Sequence, residues 1–131
     1  MSGIDHVALS AAEYQTSRKF YEQALAPLGV TVMMEFDNEG GEIAGFGDTR
    51  PFFWVGTGGK LTGRLHVSFM AKTRAEVEAF HAAALAAGGR DNGAPGLRPH
   101  YHATYYAAFV LDPDGHRIEA VCHAPEAPEV R

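Results

Sequence analysis

Cysteine is almost missing from this chain: Cys122 is the only one in 131 residues. No internal disulfide can form, and a reducing compartment is the simple reading. Long apolar runs are missing too. No stretch approaches the roughly 18 residues a membrane-spanning helix requires, and Met1-Ser2-Gly3-Ile4 lacks the charged and apolar regions of a secretion signal. The expectation is a cytoplasmic protein with no membrane partner. Basic patches are also absent. Lys and Arg total 11 against 16 Asp and Glu, for a net charge of −5, and the arginines are scattered. That balance argues against a nucleic-acid partner.

What is present fits one globular domain, with 46% hydrophobic and 21% charged residues. The domain is expected over 1–124, followed by a proline- and glutamate-rich tail, 125–131, that should fray as a flexible end. Within it the chain repeats itself. Asp5-His6-Val7-Ala8-Leu9 is echoed 60 residues later by Leu65-His66-Val67-Ser68-Phe69, and Phe20-Tyr21 by Phe80-His81. Two modules, 4–57 and 64–123, follow from this echo. A half of that size buries surface poorly by itself, so the halves should share a core or each should pair with a second chain.

Each half reads as a strand, a helix and further strands. Residues 4–9 alternate with the period of a strand, and Ser10 with Glu13 offers a capping box for a helix over 12–26. Pro27 and Gly29 stop that helix. Strands are expected at 30–36, 42–47 and 52–56, and 60–63 reads as a linker. The second half restarts with a strand over 64–70, a Thr73/Glu76 capping box and a helix over 74–87. Residues 90–103, with Gly93, Pro95, Gly96 and Pro99, read as irregular. Strands at 104–111 and 116–122 flank the turn Asp112-Pro113-Asp114-Gly115, in which proline presets φ and glycine takes a left-handed position cheaply. Aligning that turn with 48–51 sets Phe53 opposite Glu119 and Val55 opposite Val121.

Alternation then sorts side chains by face. Val7, Leu9, Val67, Phe69, Ile118 and Ala120 suit the faces under the helices, which sends His6, His66 and Glu119 to the uncovered faces. Two imidazoles and a carboxylate suit a divalent transition metal such as Fe, Mn, Ni, Co or Zn. Three protein ligands leave positions open for substrate. Taken singly, each residue is equally readable as a solvated or structural side chain. His100, His102 and Tyr105 are candidates for proton transfer, set against an ordinary loop with packing aromatics. Phe53, Trp54 and Tyr101 are candidate apolar walls for a substrate, set against sheet core or dimer contact. Cys122 reads as structural, having no defined electropositive setting. The run 56–60 lacks the spacing and following helix of a phosphate loop.

The repeated strand-helix-strand pattern resembles the vicinal oxygen chelate superfamily, the group of glyoxalase I, bleomycin-resistance proteins, fosfomycin-resistance enzymes and extradiol dioxygenases. The likeness rests on Asp5-His6-Val7, Phe20-Tyr21, Leu28-Gly29, Leu65-His66-Val67 and the run from Phe109 to Val121 with its Asp-Pro-Asp-Gly turn and Ile118-Glu119. It covers about residues 3–123 and is similar to a subgroup of small glyoxalase-like proteins. The resemblance implies an α+β fold of two tandem βαβββ modules, forming curved mixed sheets around a pocket, and a homodimer. It implies that His6, His66 and Glu119 are metal ligands. It implies a metal-dependent lyase or dioxygenase whose small substrate chelates the metal through neighbouring oxygens. Glyoxalase I usually carries a fourth ligand at the position matching Phe53. Phenylalanine cannot ligate, which argues against standard glyoxalase I. The alternative reading is a metal-free small-molecule binder of the bleomycin-resistance kind, and a third is a retired enzyme fold kept as a dimeric scaffold.

Overall fold

The computed structural model describes residues 3–38, 41–59 and 65–125. The expected linker at 60–63 and the tail from 126 onward lie outside the described residues. In chain order the elements are β1 (Val7–Ser10), α1 (Tyr14–Leu25), β2 (Thr31–Asn38), β3 (Gly41–Gly47), β4 (Pro51–Gly56), β5 (His66–Met70), α2 (Arg74–Ala86), β6 (Arg90–Leu97), β7 (Tyr106–Leu111) and β8 (Arg117–Cys122). They form two four-stranded mixed sheets, ordered β1-β4-β3-β2 and β5-β8-β7-β6. In each sheet the first strand pairs in parallel with the last, and the remaining pairs are antiparallel. This is the α+β architecture of two βαβββ modules.

One strand runs against expectation. Residues 90–97, rich in glycine and containing Pro95, form β6 rather than irregular chain. The strand lies at a sheet edge, where a missing N–H and bulges are tolerated. Its register against β7 shifts between Asp91 and Gly93 and again between Gly93 and Gly96.

The helix starts differ in an instructive way. The second capping box forms with its return arm one residue early: the Glu76 amide donates to Thr73 Oγ1 at 3.1 Å as expected, while the Glu76 carboxylate accepts from the Lys72 amide at 2.9 Å rather than from Thr73. The first does not form. Helix α1 begins at Tyr14, and its N-cap residue, Glu13, makes no side-chain cap. Asp114, in the β7–β8 turn of the other module, lies against this end of the helix instead. Its carboxylate accepts from the Ala12 amide at 3.3 Å and from Ser17 Oγ at 3.3 Å. An anion is favourable there because a helix N-terminus presents unpaired N–H groups and a positive dipole end.

The two modules share one core, as their small size demands. Phe20, Tyr21 and Phe53 of the first belong to the same buried cluster as Phe69, Val77 and Phe80 of the second. Phe53 and Phe69 meet edge-to-face with centroids 5.0 Å apart. Each such ring contributes roughly 1.5–3 kcal/mol by leaving water. Polar contacts reinforce this seam. Tyr21 donates its hydroxyl to the Asp112 carboxylate, which also accepts from the amides of Asp114 (2.9 Å) and His116 (2.8 Å). His116 is buried. Its Nδ1 accepts from the Leu65 amide at 3.1 Å, and its Nε2 lies 3.4 Å from the Ser10 carbonyl. No helix among the described residues is long and apolar enough to cross a membrane.

Candidate functional site

The register of β5 against β8 decides which side chains meet. His66 pairs with Arg117, Ser68 with Glu119 and Met70 with Val121. Paired residues point to the same face of a sheet. Val67, Phe69, Ile118 and Ala120 join the core under the helices, so His66, Arg117 and Glu119 turn the other way, as alternation requires. On that open face Phe109 lies opposite Glu119 across β7 and β8, and it clusters with Ala107, Val121 and Tyr105.

Glu119 is the centre of this face. It is 1% exposed although it carries a carboxylate. One carboxylate oxygen lies 2.8 Å from His66 Nε2, and the other accepts the hydroxyl of Tyr105. Burial, reinforced by the hydrogen bond to Glu119, pushes Tyr105 up to about 12. At neutral pH Tyr105 therefore keeps its proton and acts as a donor. His66 Nε2 and Glu119 Oε1 converge on the position of a single shared proton. A cation in that position would have a nitrogen and an oxygen donor at once, with Tyr105 fixing the carboxylate.

The third proposed ligand is elsewhere. His6 precedes β1 rather than lying within a strand over 4–9. Its ring is exposed, with Nδ1 2.8 Å from Asp5 Oδ1, and Asp5 in turn pairs with Arg50 at 3.3 Å. The repeat made His6 and His66 equivalent, and equivalence is not proximity. Among the described residues no group of three His, Cys, Asp or Glu side chains is assembled as a metal site. One chain thus brings His66 to Glu119 and leaves His6 apart.

The expected alignment of Phe53 with Glu119 is corrected by the sheet register. Val7 pairs with Phe53 and Ala8 with Trp54 in the first module, whereas Val67 pairs with Ile118 and Ser68 with Glu119 in the second. The counterpart of Phe53 is therefore Ile118, and the counterpart of Glu119 is Trp54. Phe53 is fully buried in the shared core against Tyr21 and Phe69, so it is no wall of an open site. Trp54 occupies the uncovered face, stacked on Phe36 with centroids 6.4 Å apart. Its ring lies over Gly45, where a Cβ would come within 2.6 Å of it. Indole offers no lone pair to a metal, so the inference that this position supplies no ligand survives with a different residue.

The loop before β7 carries the remaining candidates. Tyr101 lies 5.1 Å from Tyr105 between ring centroids, and His100 lies 4.3 Å from Tyr101. His102 Nδ1 accepts from the Thr104 amide at 3.2 Å. Of the three residues considered for proton transfer, Tyr105 is the one bonded to Glu119. His100 and His102 stand farther out along the loop. Reading residues singly missed Arg117 and Phe109, whose shared face is set by the β7–β8 register, and Arg98, which folds back over Phe109 from the end of β6. A separate cleft of about 410 Å³ between α1 and β2 is lined by Tyr14, Arg18, Glu35 and their neighbours and contains none of these residues.

Comparison with known proteins agrees with this architecture. Residues 3–120 match the Glyoxalase/Bleomycin resistance protein/Dioxygenase superfamily. A search of curated proteins gives no significant match. Among solved structures, a glyoxalase/bleomycin resistance protein from Albidiferax ferrireducens T118 is similar at 28% identity and a TM-score of 0.74, over 91% of this chain and 97% of that one. A glyoxalase I mutant from Zea mays has 22% identity and a TM-score of 0.69, over 90% of this chain and 46% of that one. A genomically encoded fosfomycin resistance protein from Listeria monocytogenes has 16% identity and a TM-score of 0.67, over 93% of each chain. With its paired βαβββ sheets and a match running from residue 3 to residue 120, this chain belongs to the glyoxalase/bleomycin resistance/dioxygenase superfamily.

Proposed function

We propose that this protein is a metal-dependent enzyme acting on a small molecule through two neighbouring oxygens. In this reading His66 and Glu119 of one copy and His6 of a second copy hold the metal. The observation that carries it is the buried Glu119 carboxylate, held between an imidazole and a phenol on the sheet face the helices leave open. Taking a carboxylate out of water is costly, and a cationic partner offsets that cost. The second copy enters because one chain does not assemble three donors among its described residues. Met70, on the same face as His66 and 81% exposed, gives that copy an apolar surface to cover.

A divalent metal held there would supply Lewis-acid charge to the substrate oxygens. The residues of the chain do the rest. Tyr105 holds its proton at Oη and aims the Glu119 carboxylate. Tyr101 and the Trp54 of the second copy bound the substrate with aromatic surface. Any base that takes a substrate proton is a group other than Tyr105; His100 and His102 share its loop, and the His123 ring lies 5.2 Å from its own. Iron(II) would direct the site to oxygenation, whereas Mn, Ni, Co or Zn would direct it to a lyase or isomerase step. With Trp54 in the position repeat-related to Glu119, a four-ligand glyoxalase I site is disfavoured.

The stacked Trp54–Phe36 pair supports a second reading, a metal-free binder that takes a flat ligand between two copies. Elemental analysis of tag-free protein separates the two. A stoichiometric transition metal that disappears in His6→Ala, His66→Ala and Glu119→Ala supports the enzyme. Equally negligible metal in all four proteins leaves the binder.

A further inference from the structure

Two arginines share the open face with His66 and Glu119. The Arg117 guanidinium carbon lies 4.0 Å from the Phe109 ring centroid, and that of Arg98 lies 5.4 Å from the same centroid. The His66 ring stands 6.1 Å from it. Phe109 is thus ringed by two cations and a candidate ligand. Each arginine is steadied by neutral acceptors. Arg117 Nε donates to Asn92 Oδ1 at 2.9 Å, while Arg98 donates to the carbonyls of Gly96 at 2.9 Å and Ala94 at 2.8 Å. Among the described residues, neither has a carboxylate within ion-pair distance.

That arrangement leaves the face with excess positive charge. Two permanent guanidinium charges face one carboxylate, Glu119, and a divalent metal would widen the imbalance. Arg50, which shares Asp5 with His6, is already paired. Arginines held over an aromatic ring are oriented before any ligand arrives. Their planar forks match the oxygens of a carboxylate or phosphonate, and such charge-assisted pairs are the strong ones. Arg117 uses Nε on Asn92, which leaves its Nη groups for a ligand.

We infer that Arg117 and Arg98 form an oxyanion subsite beside the candidate metal ligands, so that the substrate is a small acid whose carboxylate or phosphonate lies apart from its chelating oxygens. This rests on the reading of the same face as a substrate site, and it names the substrate class that face takes.

The test is calorimetric titration of the full chain, as purified, with benzoate, phenylphosphonate and neutral benzamide. Metal content is measured on the same preparations. Benzoate or phenylphosphonate is expected to bind at least about tenfold more tightly than benzamide, and the tighter of the two identifies the oxyanion. Arg117→Gln is expected to weaken the anion about tenfold and leave benzamide unaffected. Arg98→Gln should act in the same direction. If Arg117→Gln melts early, Arg117→Lys keeps the charge without the fork and should fall between the two. Anions that bind no better than benzamide, or that ignore both arginine substitutions, overturn the subsite. Metal-free protein that still binds benzoate through Arg117 sinks the metal reading and leaves the subsite standing; metal-loaded protein with no anion preference does the reverse.

Discussion

Tyr21, on the helix of the first module, gives its hydroxyl hydrogen to Asp112, on the turn of the second, and both residues are buried. Burial is the first cause that raises Tyr21 well above the ordinary tyrosine range, and the Asp112 charge adds to it. A tyrosine so raised stabilises the fold fully below its unfolded pKa, near 10. Above that pH the unfolded chain loses the proton while the folded chain keeps it, so stability falls as pH rises towards the folded value. Urea midpoints measured from pH 8 to 11 should decline beyond about pH 10. The decline should be shallower in Tyr21→Phe. At pH 7 that variant should cost about 1–3 kcal/mol, because a buried carboxylate loses a donor. A midpoint equal to wild type would show that the bond contributes nothing.

Phe53 and Trp54 are neighbours in sequence and serve opposite faces. Phe53→Ala should destabilise by about 3–5 kcal/mol, the usual cost of emptying a phenylalanine site in a core. Trp54→Ala should cost much less stability and instead weaken ligand binding. Thermal melts paired with a binding assay read both effects. Comparable losses of stability would contradict the observed register.

If the metal is shared between copies, loss of His6 and loss of His66 should complement. Neither His6→Ala nor His66→Ala alone should retain metal. Co-expressed and purified as a mixed dimer, they should retain about half the wild-type content, because one of two sites is then complete. Sedimentation should give a dimer throughout. Metal that stays low in the mixed sample while the dimer persists would count against a shared site.

The helix starts provide a graded comparison. Thr73→Ala should cost about 1 kcal/mol by removing a cap bonded to the Glu76 amide. Ser10→Ala should change stability by less than about 0.5 kcal/mol, since α1 has no side-chain cap for it to lose. Asp114→Ala should resemble the Thr73 variant. Chemical denaturation of the three variants ranks them directly.

Much of this was legible because period-2 patterns carry face information. The first four residues of β8, Arg117-Ile118-Glu119-Ala120, alternate, which sets Glu119 on the face opposite Ile118 and Ala120. The run Phe52-Phe53-Trp54-Val55 is apolar throughout and displays no alternation. Nothing in that run fixes how its turn aligns with the later one, and a one-residue slip exchanges the faces of every side chain. Strand β6 was hidden for another reason. Its glycines and proline have poor strand propensity, and edge pairing to β7 overrode it. The Ala12–Asp114 contact spans most of the chain, and no local pattern encodes it. The Arg117–Phe109–His66 grouping depended on knowing which strands are neighbours.

The Asp112–Asp114 turn also ties the first helix to the second module. When the first module emerges during synthesis, its helix has no side-chain cap of its own, and Tyr21 has no acceptor until the Asp112–Asp114 turn is made. The duplicated halves are thus not interchangeable: the first should be complete only when packed on the second. An isolated fragment ending near residue 59 should remain largely unfolded, and adding the second fragment in trans should order both.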